Sequence, residues 1–145
     1  MSESTFPQAY RDRPKVYLHA YNLISTIYEH TRSFPKQLRP TVGRRMEESS
    51  VDLALTVLRS LMTSAQKPEA KEELLEQASH HLDVIRLCAQ ISTDQRALTP
   101  LGLKQISENT TEIGKELGGL IKYQRNQSLR RTSRRPSDKE PKDPS

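Results

Sequence analysis

Tryptophan is absent from this chain, phenylalanine occurs twice, glycine five times and cysteine once. With Cys88 alone no intramolecular disulfide can form, and nothing points to an oxidising compartment. Cys88 lies among Leu82, Ile85 and Ala89 and is expected to be a buried, inert thiol. No apolar run approaches the roughly 18 residues that a membrane span needs. The opening "MSESTFPQAYRDRP" lacks the apolar stretch of a signal peptide, so a soluble, cytoplasmic protein with no membrane partner is expected. Motifs are missing too. There is no Walker A loop, no Gly-x-Gly-x-x-Gly and no Gly-x-Ser-x-Gly, which removes the phosphate cradles and nucleophile elbow those motifs build. None of the four histidines has a glutamate three residues before it, so the di-metal pattern of helical bundles is missing. No catalytic residue, metal or cofactor is expected.

What remains is polar and helical. The 145 residues are 33% hydrophobic and 28% charged, which suits one domain of amphipathic helices around a modest core. No strand-like alternation of useful length occurs. Four helical segments are separated by proline-marked breaks. The first runs from about Pro14 to Arg32, with Tyr17, Ala20, Tyr21, Ile24, Ile27 and Tyr28 on one face. "SFPKQLRP" ends it, because prolines 35 and 40 cannot continue a helix. The second starts at Thr41, a suitable N-cap, and ends near Ala65. Its stripe is Val42, Met46, Ser49, Ser50, Leu53, Ala54, Val57, Leu58 and Leu61, and the serines are expected to bond back to the backbone.

The third segment spans about Pro68 to Ser92 through Leu74, Leu75, Ala78, His81, Leu82, Ile85, Cys88 and Ala89. His81 is expected as a core histidine, and Glu76 with His80 as a solvated pair. Thr99 caps the fourth helix, with Pro100 at its first position and Leu103, Ile106, Thr110, Ile113, Leu117, Leu120 and Ile121 as its stripe. The fold expected is all-α: an up-down-up-down four-helix bundle over 14–123. A flexible N-terminus, 1–13, precedes it and a disordered basic tail, 124–145, follows it.

That tail carries seven basic residues, among them Arg125, Arg130, Arg131, Arg134 and Arg135, against three acidic ones, out of a net charge of +5 for the chain. It suits contact with a nucleic-acid backbone, a kinase site at Ser133 or Ser137, or solubility alone. On the folded part Lys36, Arg39, Arg44 and Arg45 gather at the first break. Two arginines at a helix start oppose the helix dipole, which slightly favours a role for them toward a partner over the alternative of a solvated surface. Arg86 follows Asp83 by three residues and suits either an intrahelical ion pair or an anion.

"EIGKELGGLIK", residues 112–122, puts Gly114, Gly118 and Gly119 in one helix, each costing about 1 kcal/mol relative to alanine. Gly114 and Gly118 share a face with Leu117 and Ile121. Close approach of another helix, within the bundle or between subunits, is expected there. Gly119 points elsewhere.

This segment resembles the end of the last helix in the four-helix-bundle family that includes the accessory variability determinant (Avd) of diversity-generating retroelements. The same broad family includes proteins encoded by intervening sequences of bacterial large-subunit ribosomal RNA genes. "SFPK" at 33–36 resembles the family's loop, "VGRRM" at 42–46 its helix start through Gly43 and Arg45, and "LDVIR" at 82–86 its third helix through Leu82, Asp83 and Arg86. The resemblance covers about residues 15–125, and the "IGKELGGLIK" ending looks more like Avd. It implies a homopentamer with a basic surface that binds a retroelement reverse transcriptase and its template RNA in mutagenic cDNA synthesis. Nucleic-acid contact is then expected at Lys36, Arg39, Arg44, Arg45, Arg86, Arg125, Arg130, Arg131, Arg134 and Arg135. One departure weighs against a basic third helix: "HHLDVIRLCAQIS" has a single arginine. The alternative is an intervening-sequence-type structural or assembly protein without a nucleic-acid role.

Overall fold

The computed structural model describes residues 14–139, with side chains to Thr132. Four α-helices form the described chain: α1, Lys15–Thr31; α2, Arg44–Met62; α3, Pro68–Asp94; and α4, Pro100–Lys139. A π-helical turn, Arg39–Gly43, leads directly into α2. Helices consecutive in sequence pack side by side, and α4 closes back on α1, as an up-down-up-down bundle requires.

The core is apolar side chains from all four helices: Leu23 and Ile27; Met46, Leu53 and Val57; Leu82 and Ile85; Ile106, Ile113 and Leu117. On α1 the buried stripe is Val16, Tyr17, Ala20, Leu23, Ile27 and Thr31. The expected stripe was turned too far: Tyr28 is exposed, Tyr21 and Ile24 are half-buried, and Leu23 takes the central place. Adjacent apolar residues at 23 and 24 left that rotation undecided by spacing alone.

The helix ends show what the sequence dictates locally. Thr99 Oγ1 accepts from the Gly102 amide at 3.0 Å, the expected N-cap, with Pro100 first in the helix. Thr41 does not cap α2. Its hydroxyl donates back to the carbonyls of Gln37 and Leu38, because the π-turn already supplies carbonyls to the amides of Gly43 and Arg44 at the start of α2. At the other end α2 stops at Met62 rather than Ala65, where Thr63 becomes extended. Lys71 of α3 reaches across to donate to the carbonyls of Ser60 (2.6 Å) and Thr63 (3.1 Å), placing a cation on the negative end of α2.

The end of α3 is a Schellman turn: the Ala97 amide donates to Ser92 O and the Arg96 amide to Thr93 O. Arg96 sits at φ 62°, the left-handed position that glycine usually holds. The body of the bundle also runs past the expected boundary at 123. Gln124 is 7% exposed, and α4 continues to Lys139. Residues 1–13 and 140–145, which belong to the expected N-terminal and tail segments, lie outside the described residues.

Candidate nucleic-acid interface

The prolines that break the chain after α1 also build its most basic corner. Lys36, Arg39 and Arg44 line a cleft of about 340 Å³ with Pro40 and Glu47. Glu47 accepts a 2.6 Å hydrogen bond from Thr31 Oγ1, which fixes its carboxylate toward α1. Lys36, Arg39, Arg44 and Arg45 are all exposed, and none forms an ion pair among the described residues. The dipole argument for the two arginines weakens here. The Arg44 amide donates to Arg39 O and Thr41 O, so no free helix start faces them.

The topology brings two further cations to this end that no sequence motif marks, Arg32 after α1 and Arg96 after α3. Ser92 Oγ bonds Met46 Sδ at 3.7 Å, which joins the end of α3 to the start of α2. Only the antiparallel arrangement reveals this gathering.

The remaining arginines are placed differently. Arg86 pairs with Asp83 at 3.0 Å, as the spacing suggested, but its second amino group also crosses to donate to Thr110 O of α4 at 3.0 Å. Arg125 Nε donates to Glu72 (2.9 Å) and Arg125 Nη2 to Glu76 (3.0 Å), and the hydrogen bond to Glu72 chiefly holds the guanidinium pKa above its ordinary value. Glu76 therefore serves Arg125 rather than His80. Arg131 donates to Gln66 O in the α2–α3 connection. These three arginines tie α4 to its neighbours. Arg130 is exposed, and Arg134 and Arg135 belong to α4 with side chains outside those described.

The glycines divide as well. An ideal Cβ on Gly114 would lie 2.7 Å from Arg86 Nη2 and 3.6 Å from Leu82 Cδ2, so this glycine lets Arg86 cross to α4. A Cβ on Gly118 or Gly119 would meet nothing within 4 Å, and both positions are exposed. Within the chain, then, the expected close approach exists at Gly114 and not at Gly118. Leu117 is buried and Ile121 half-buried.

Cys88 is 2% exposed; burial raises its pKa, opposed by the positive charge of Arg45. His81 is half-buried beside His80, ring centroids 6.0 Å apart, rather than in the core. Among the described residues no group of three or more His, Cys, Asp or Glu is placed to hold a metal, and no helix is long and apolar enough to cross a membrane.

The fold and this corner define a four-helix bundle that concentrates unpaired cations at one end. A family model described as bAvd-like matches residues 15–124. The chain belongs to the bAvd-like family, as the glycine segment and the three shorter motifs suggested. No curated protein matches it.

Proposed function

We propose that this protein is an Avd-type accessory protein of a diversity-generating retroelement. It is a non-enzymatic adaptor that assembles as a homo-oligomer, by resemblance a pentamer, in the cytoplasm. It holds template RNA at its basic end and engages the reverse transcriptase for mutagenic cDNA synthesis. The observation that carries the reading, beside family membership, is the cluster of Lys36, Arg39 and Arg44 around one cleft without a single ion pair. Cations left unpaired at a surface are available to phosphates, whose neutralisation releases counterions. Arg86 and Arg125 contribute less to RNA contact, since their donors already hold α3 and α4 together. The extension of α4 past Gln124 adds Arg134 and Arg135 from the opposite end of the bundle.

Filter binding of a single-stranded RNA across a salt series tests this reading. Replacing Lys36, Arg39 and Arg44 together by glutamine is expected to weaken binding and to flatten the logarithmic salt slope by about 2, at roughly 0.7 per lost phosphate contact. An unchanged slope, with circular dichroism confirming the fold, overturns the assignment of this cleft.

A further inference from the structure

A second concave surface lies beside the basic cleft and has a different chemistry. Leu38 and Val42 from the π-turn region, with Val84, Leu87, Cys88 and Ile91 from α3, line a groove of about 790 Å³. Leu87 is 61% and Ile91 39% exposed, so large aliphatic side chains stand in solvent here. Burying such surface is favourable for any partner that covers it. The charged groups at its edge are Arg44, Arg45 and Glu48. Neither arginine is paired with Glu48, although it lies three or four residues along the same helix.

We infer that this groove docks an acidic amphipathic helix of a partner protein. The apolar floor follows α3 from Val84 to Ile91, about 10 Å at 1.5 Å per residue, which matches roughly two turns of helix, the span from an anchor at i to one at i+7. Such a segment is read by aliphatic side chains at i, i+3 or i+4, and i+7. Charge complementarity sets the sign of its flank. Two arginines with unused forked donors donate bidentately to carboxylates, while Glu48 repels them one turn farther on. The carboxylates therefore lie at the end of the segment over Arg44 and Arg45. A phosphate backbone would use the arginines but leave the six aliphatic and thiol side chains without a role. Arg44 lines both this groove and the neighbouring cleft, so Arg45, which lines the groove and not the cleft, separates this inference from RNA binding.

The test uses the full chain and a displayed library of helical peptides, with a fixed leucine face and randomised flanks. Aspartate and glutamate are expected to be enriched on one flank. A selected peptide should bind about tenfold more tightly than its glutamine-flanked counterpart, a preference expected of charge-assisted pairing. Leu87→Asp, at an exposed position, should abolish peptide binding and leave RNA retention unchanged. Arg45→Gln should remove the preference for the acidic flank and keep the leucine-face binding, which guards against a folding defect in the first variant. No enrichment, or enrichment of basic flanks, overturns the proposal. So does a Leu87→Asp chain that loses RNA retention, which would assign the groove to nucleic acid. A changed sedimentation coefficient in that variant would assign it to a second copy of this chain and overturn the proposal equally.

Discussion

Helix α4 is held on two sides by different means. Toward α3 it meets Leu82, the crossing guanidinium of Arg86 and the double ion pair of Arg125 with Glu72 and Glu76. Toward α1 it makes polar side-chain bonds: His19 Nδ1 to Glu116 (2.9 Å), His30 Nε2 to Gln105 Oε1 (2.6 Å) and Asn109 to Thr26 (3.4 Å). Between these, Asn22, Ser25, Thr26 and Glu29 face Gln105, Glu108 and Asn109 across a polar cleft of about 510 Å³. Asn22 Oδ1 takes no hydrogen bond from any of the described residues. Net hydrogen-bond energies are small, whereas a buried leucine is worth several kcal/mol. The α1–α4 seam is accordingly the weaker closure, and α1 the first helix to part in local opening. Hydrogen exchange should show earlier amide exchange in the middle of α1 than in the middle of α3.

Mutations sharpen the contrast, beginning with the largest effect. Leu82→Ala, at a fully buried position beside Gly114, should cost about 3 kcal/mol in urea unfolding, within the range for buried leucines. Arg86→Met should cost about 1 kcal/mol, because it removes the bonds to Asp83 and Thr110 O from a side chain that is 44% exposed. Gly118→Ala and Gly119→Ala should each stabilise by about 0.5–1 kcal/mol, since the added methyl meets nothing and helix propensity improves. Gly114→Ala should fall short of that gain, because its methyl would sit 2.7 Å from Arg86 Nη2. Equal gains at all three glycines would refute the close approach of Arg86. Thr26→Val should change stability by less than about 0.5 kcal/mol, since it removes only a long, half-buried hydrogen bond.

Much of the bundle is legible in the sequence because prolines and caps act locally. Pro35, Pro40, Pro68 and Pro100 mark where helices cannot continue or best begin, and Thr99 caps as its side chain dictates. The Asp83–Arg86 pair follows from spacing on one helix. What escapes a linear reading depends on a second helix. Arg86 and Arg45 look alike as residues, yet one crosses to Thr110 and the other remains unpaired at a groove rim. Gly114 and Gly118 share a face of α4, but only the first has a neighbour. Thr41 is a reasonable cap until the π-turn that contains it satisfies the same amides. The gathering of Arg32 and Arg96 with the basic corner needs the antiparallel topology. The run of α4 past 124 is hidden because Arg125 and Arg131 are polar residues held by Glu72 and Glu76 of α3 and by Gln66 in the connection before it.

Arg96 carries a consequence beyond the turn it completes. A left-handed arginine is disfavoured by about 1–2 kcal/mol, while glycine takes that conformation freely. A library randomised at position 96 and screened for heat resistance should therefore return glycine. The same library screened for RNA retention should return arginine or lysine if the cation serves the basic end. Two screens of one codon would thus separate what the fold prefers from what the molecule is kept for.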